Sequence, residues 1–321
     1  MIINEKEIKS INNNMYLDEL FKKSVFIDIE TTGLSRKYSQ IISITLLFHD
    51  CEKYKITQIF CQYKVDEPEA LKFFKNIIKE KIYIITYNGN SFDLPFLKKR
   101  AEKYNIDIDF NSFIKIDLYN CLIKFKNKIK TANLKLKTIE EYFNINRHDT
   151  LTGKDILTLY EAYRLEPRQE FSSLILEHNY EDVYNLPKVM NSIFTLYDEV
   201  LFLQNLAIPI NYRDISIKNN LLQCKFNVIT DICKDFISHN INYKMYLSID
   251  KQVLEMVIPL NYFKDETIKE FCFINKDEYG INSFTAIRGI KRNLIPIKFN
   301  DKLYYDNIMR VIEKIVFENF K

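Results

Sequence analysis

Polar positions break an apolar background at residues 25–34, Val-Phe-Ile-Asp-Ile-Glu-Thr-Thr-Gly-Leu. Its β-branched and aromatic content predicts a short buried strand, ended by a glycine that permits a turn. Residues 40–48 and 53–61 have the same character, and the short turns between the three runs predict an antiparallel meander. Residues 67–80 show helical spacing with Pro68 in the first turn. A buried strand at 81–87, a helix at 92–104 and a strand at 113–118 follow, and the remainder to about residue 200 reads as helical, including 171–196. Later strands that are each followed by a helix indicate an α/β sheet covered by helices. Residues 201–321 change character. Short apolar or alternating runs at 208–211, 221–228, 243–259 and 271–274 predict strands, and 301–320 predicts a closing helix. The expected organisation is a domain over 1–200 with a mixed sheet flanked by helices, then a smaller α+β module over 201–321. No Pro/Gly/Ser-rich linker marks the boundary.

Composition narrows the class. Hydrophobic residues make up 47% of the 321, enough for a real core. A net charge of +3 is too small to argue nucleic-acid binding by itself. The six cysteines (Cys51, Cys61, Cys121, Cys224, Cys233 and Cys272) form no CxxC pair and have no His at zinc spacing. They read as reduced thiols of a cytoplasmic protein. Residues 1–23 are polar and Asn-rich, unlike a signal peptide. The longest apolar run, 41–48, is interrupted by Ser43 and Thr45 and falls far short of a membrane span, so no membrane association is expected.

Three polar motifs carry the candidate chemistry. Asp28 and Glu30 are two apart on a predicted strand, so both carboxylates leave the same face. Two buried, unpaired carboxylates are costly, and a hard divalent cation is the common remedy. A position in solvent beyond the strand end, or pairing with Lys or Arg, would also satisfy them. The second motif, residues 87–93 (Tyr-Asn-Gly-Asn-Ser-Phe-Asp), runs from a strand end into a helix. Asp93 falls in the first helical turn, where the macrodipole favours negative charge whether or not a ligand is present. In the third, His178 and Asp182 stand i, i+4 on one helix face, which also suits an ordinary polar surface.

Together the three motifs resemble those of the DEDD exonuclease superfamily, with its DnaQ-like variant of the ribonuclease H fold. Residues 28–35 and 87–93, Leu-Lys-Thr-Ile-Glu-Glu at 136–141, Thr-Gly-Lys-Asp at 152–155 and His-Asn-Tyr-Glu-Asp-Val at 178–183 look like the YprB-like bacterial group. The second motif is also similar to the proofreading exonuclease of family B DNA polymerases. The resemblance covers about residues 24–195. It implies a ribonuclease H-like α/β fold and a metal-dependent 3′→5′ exonuclease. Asp28, Glu30, Asp93 and Asp182 would hold two Mg²⁺ or Mn²⁺ ions. Thr31, Gly33, Leu34, Asn88 and Phe92 would line the substrate path. Superfamily members have Tyr four residues, or His five residues, before the last acid, whereas here His178 is four before Asp182 and Glu177 fills the other slot. One residue on a helix is ~100° of rotation. His178 thus takes the tyrosine geometry with histidine chemistry, and is expected to orient or deprotonate the attacking water. Glu181 is an alternative ligand or bystander, and Asp117 a further candidate acid.

DNA or RNA is the expected substrate. Residues 98–137 hold eleven Lys and Arg against four acids, as a phosphate-binding surface or a solvated lysine-rich helix would. Arg288, Lys291, Arg292 and Lys298 form a second basic run. Tyr38, Tyr87 and Phe92 could stack on bases or pack in the core. Rival expectations are a non-catalytic nucleic-acid-binding module, or a processing subunit whose protein partner docks on residues 201–321.

Overall fold

The computed structural model describes residues 1–9, 11, 15–203, 206–230, 232, 234–264 and 270–320. The chain divides into two compact units, Met1–Leu196 and Tyr197–Lys321.

In the first unit, β1 (Ile2–Ile8) and α1 (Met15–Lys22) precede β2 (Ser24–Thr31), β3 (Ile41–Asp50) and β4 (Lys53–Phe60). Then come α2 (Glu67–Ile78), β5 (Tyr83–Thr86), α3 (Asp93–Lys103), β6 (Ile114–Asp117), α4 (Leu118–Ile123), α5 (Leu136–Tyr142), α6 (Gly153–Leu165) and α7 (Gln169–Phe194). One mixed sheet runs in the order β1-β4-β3-β2-β5-β6. β2, β3 and β4 form the expected antiparallel meander, and β5 and β6 join it in parallel. The first strand and helix were not foreseen. β1 pairs along β4 with most of its residues exposed, so it lacks the apolar signal of a buried strand. The stretch read as helical up to residue 200 is also interrupted, because 124–135 and 143–152 are irregular. The second interruption matters for the site.

Alternation along β2 sets which side chains go where. Val25, Ile27 and Ile29 enter a core shared with Leu71 and Phe74 of α2 and Phe96 and Leu97 of α3. Side chains alternate across a strand, so Asp28 and Glu30 face the other way. That face is covered by α7, which crosses β2, β3 and β4. Ile42 and Phe60 of the sheet meet Ile156 and Tyr160 of α6 and Ile175 of α7 there.

Gly89 follows β5 where the chain turns toward α3. A Cβ at this position would lie 2.4 Å from Thr86 Cβ and 2.5 Å from its Oγ1, and Thr86 is buried. Gly89→Ala is therefore expected to lower stability by about 1–3 kcal/mol through overpacking. A thermal melt checks this, and an unchanged midpoint would show that the turn has room the geometry denies.

In the second unit, β7 (Glu199–Leu203), β8 (Leu206–Ile210) and β11 (Ile229–Thr230) make a three-stranded sheet. A five-stranded sheet joins β9 (Ile215–Lys218), β10 (Leu221–Asn227), β12 (Phe236–His239), β13 (Lys244–Ser248) and β14 (Val253–Pro259). β15 (Asn261–Phe263), β16 (Phe271–Asn275), β17 (Leu294–Phe299) and β18 (Lys302–Leu303) make a third sheet. The run at 243–259 is thus a hairpin, turning at 249–252, rather than one strand. After the short α8 (Lys276–Tyr279), α9 (Tyr305–Asn319) closes the unit and packs Ile308, Ile312 and Ile315 into the shared core.

Cys51, Cys61, Cys121, Cys224 and Cys272 are free thiols, and Cys233 lies outside the described residues. Among the described residues no helix is long and apolar enough to cross a membrane.

Candidate active site

The face of β2 turned toward α7 carries Asp28 and Glu30, opposite Thr45 and Ser43 of β3. Asn179 of α7 is fully buried over this pair of strands. Its Oδ1 accepts hydrogen bonds from the Ser43 hydroxyl (2.8 Å) and the Thr45 hydroxyl (2.6 Å). Two donors on that oxygen fix the amide orientation, so Nδ2 donates to Asp28 Oδ2 at 2.6 Å. Gln58 of β4 extends the network, donating to Thr45 Oγ1 and to the Leu176 carbonyl. The direction of Asp28 is thereby set by three strands and a helix.

Asp93 enters from the start of α3. Its Oδ1 accepts the backbone N–H of Ile29, the residue between the two strand acids, at 3.1 Å. Asp182 and His178 come from α7. His178 Nε2 lies 3.3 Å from Glu30 Oε1 and 3.7 Å from Asp182 Oδ2. One atom each of Glu30, His178 and Asp182 lies within 4.8 Å of the others. Asp28 and Asp182 also open on a cleft of ≈ 450 Å³ that Tyr87, Asn88, Tyr119 and Lys135 help to line.

The acids oppose one another's charge. Burial, then repulsion from Asp182, Asp93 and Glu30, pushes the Asp28 carboxyl well above its ordinary range, with the Asn179 amide acting against this. Glu30 is raised for the same reasons, burial first and then Asp182 and Asp93, against the partial relief of Arg147. Burial lifts Asp93 to about 7, although the Ile29 N–H favours its anion. These donors are hard oxygens crowded where water is scarce, and such a set fits a divalent cation.

A pH dependence follows. The unfolded carboxyls ionise near pH ~4, while the folded ones hold their protons longer, Asp93 to about 7. Across that interval the folded chain binds more protons than the unfolded one, so stability falls as pH rises. Metal-free, chelator-treated protein is expected to melt at a lower temperature at about pH 8 than at about pH 5.5, with Asp93→Asn flattening the slope. A slope identical in variant and wild type would deny Asp93 this ionisation.

Two residues of the irregular stretch before α6 had no signal in the sequence reading. Arg147 bonds Asp182 Oδ1 at 2.5 Å, Asp149 Oδ2 at 2.8 Å and Glu140 Oε2 at 3.2 Å. Asp149 Oδ2 also lies 2.6 Å from His178 Nδ1. Burial opposes the Asp149 anion, but Arg147, the Leu151 N–H and His178 outweigh it and hold this carboxyl well below the usual range. Only the clustering of Arg147 and Asp149 in a polar, turn-rich run could have drawn attention to them.

Other sequence expectations sort differently. Asp117 is no open site acid, because its carboxylate accepts the backbone N–H groups of Asn88, Asn90 and Tyr119 and so shapes the second motif. Glu181 accepts the His148 N–H and anchors the same loop as Arg147. Three members of the basic run at 98–137 are engaged within the protein. Arg100 is buried against Glu67, Lys99 pairs with Glu102, and Lys137 bonds Asp149 and the Leu151 carbonyl. Lys135 lines the cleft. Phe92 is half-buried against Phe96 and serves the core, Tyr87 donates to the Leu134 carbonyl at 2.5 Å, and Tyr38 is exposed. Thr31 Oγ1 bonds the Gly33 carbonyl, Gly33 has φ +151°, and Leu34 is 84% exposed. Asn88 is left-handed, with φ +63°.

A mixed sheet under helices, with clustered acids at the end of its central strand, defines a ribonuclease H-like α/β protein. The chain belongs to the RNase_H superfamily, whose family model matches residues 25–194. It is 46% identical over 56 residues to a DNA polymerase of Pyrococcus glycovorans, covering 17% of this chain and 7% of the polymerase. It is 28% identical over 123 residues to the PolC-type DNA polymerase III of Mycoplasma genitalium, covering 32% of this chain and 8% of that one. The chain therefore spans less than a tenth of the length of either relative. Among solved structures, the family B DNA polymerase of Pyrobaculum calidifontis matches with a TM-score of 0.45 and 16% identity, over 54% of this chain and 25% of the polymerase.

Proposed function

We propose that the chain is a two-metal-dependent nuclease, a 3′→5′ exonuclease acting on single-stranded or frayed DNA or RNA. The supporting observation is the crowding of Asp28, Glu30 and Asp93 around Asp182, where burial first and then the Asp182 charge raise the cost of ionising the other three. Asp28, Glu30, Asp93 and Asp182 would hold Mg²⁺ or Mn²⁺. The bound ions supply the charge that activates water and stabilises the leaving oxygen. The chain's own groups do the rest. Asn179 aims Asp28, and Arg147 carries part of the Asp182 charge. Lys135 brings a cation to the cleft for the phosphodiester backbone. Thr31, Gly33, Leu34, Asn88 and Phe92 border the path of the strand, with Leu34 offering exposed apolar surface to a terminal base. His178 completes the site, its Nε2 turned toward Glu30 and Asp182.

Within the superfamily we assign the chain to the YprB-like group on its motifs, as a cytoplasmic enzyme. Catalysis belongs to the domain expected at 1–200, whose compact unit ends at Leu196, and the unit that follows is an accessory module that could receive a protein partner. End-labelled DNA and RNA, single and double stranded, test this with Mg²⁺ or Mn²⁺. The expected result is stepwise shortening from the 3′ end that a chelator stops. No product from any of these substrates would end the proposal.

A further inference from the structure

Resting on the metal-dependent reading above, we propose that His178 is a cation ligand: its Nε2, with one oxygen each of Glu30 and Asp182, forms a mixed nitrogen–oxygen site that favours Mn²⁺ and later transition ions over Mg²⁺, and Asp149 is the positioning residue that presents the ring. This role replaces the water activation expected from the spacing of His178 and Asp182.

Four observations carry it. First, a water-activating imidazole needs a face on the space that substrate and water share. His178 is only 5% exposed, and the cleft beside Asp28 and Asp182 is lined by other residues. Second, the distances suit one ion. Ligand atoms bonded at ~2.1 Å to a common ion lie ~3–4.2 Å apart. Nε2 stands 3.3 Å from Glu30 Oε1 and 3.7 Å from Asp182 Oδ2.

Third, the ring is turned the right way. The 2.6 Å contact between Nδ1 and Asp149 Oδ2 puts a ring proton on Nδ1, because that carboxylate, bonded also to Arg147, can only accept. Nε2 is thereby the nitrogen that faces Glu30 and Asp182, where a cation would take the place of a proton. A carboxylate behind the ring is the common support of a metal-binding histidine, fixing both tautomer and orientation. Fourth, Arg147 takes Oδ1 of Asp182, so the oxygen left for an ion is Oδ2, the one that faces His178.

The ligand set decides the ion. Mg²⁺ strongly prefers oxygen, whereas imidazole suits later transition ions, whose affinity rises from Mn²⁺ onward. An all-carboxylate site would show little such bias.

Pulsed EPR of Mn²⁺ bound to the full chain is the decisive measurement, since it detects a directly bonded ¹⁴N without reference to activity. The wild type is expected to show that coupling and His178→Ala to lose it. Mn²⁺ affinity should fall at least about tenfold in His178→Ala and about 10–100-fold in Asp149→Ala. Mg²⁺ affinity, read by competition, should change much less in His178→Ala. Should that variant fail to fold, the wild-type spectrum alone still decides. Bound Mn²⁺ without ¹⁴N coupling, alongside metal-dependent cleavage, would overturn the ligand assignment and leave the nuclease reading standing. Coupling without cleavage of any nucleic acid would do the reverse.

Discussion

Asp28→Asn is expected to reduce phosphodiester cleavage by about 10³-fold while the fold survives. Charge stabilisation by bound ions contributes several kcal/mol to such reactions, and a loss of ~4 kcal/mol corresponds to about 10³ in rate. The substitution is mild for the fold. The Asn179 amide that donates to Asp28 Oδ2 at 2.6 Å would find the carbonyl oxygen of the new side chain. Removing one of several mutually repelling carboxylates also relieves strain that Glu30 and Asp93 now share. The metal-free variant should therefore melt at least as high as the wild type near neutral pH. The assay uses end-labelled single-stranded DNA and RNA with Mg²⁺ or Mn²⁺, and circular dichroism monitors folding. Equal rates in variant and wild type would remove the nuclease assignment.

Arg100→Met is expected to destabilise the protein by about 3–5 kcal/mol, because it strands a buried carboxylate. Glu67 is fully buried and accepts from Arg100 Nε at 2.7 Å, Arg100 Nη2 at 2.5 Å, the Tyr104 hydroxyl at 2.7 Å and the Ile41 N–H at 3.1 Å. Arg100 also donates to the Lys37 carbonyl, so the pair ties α2 and α3 to the loop between β2 and β3. That loop follows Thr31, Gly33 and Leu34, and its loosening should weaken substrate binding as well. The double replacement Glu67→Leu/Arg100→Met should recover most of the lost stability, since both charges then leave the core together. Denaturant titration of the two variants separates the outcomes. A single variant as stable as the wild type would mean that water reaches Glu67.

The sequence by itself determined the meander, the two strands beyond it and the positions of the acids, while the parallel direction of those two strands came from the structure. What the sequence determined follows from local rules. Alternation puts Asp28 and Glu30 on one face, opposite Ile27 and Ile29, and helical spacing puts His178 and Asp182 on another. β1 escaped notice because an exposed edge strand needs little apolar character. What only the tertiary structure decided is the traffic between these faces. Asn179 reaches Asp28 across 151 positions of chain, and Arg147 and Asp149 reach Asp182 and His178 from an irregular stretch with no periodicity to read. The same packing withdrew Asp117 into a turn and Arg100 into the core, though in the sequence each looked as available as its neighbours. Charge and spacing are written locally, but the partner that satisfies a buried polar group is chosen by which distant surfaces the hydrophobic core brings together.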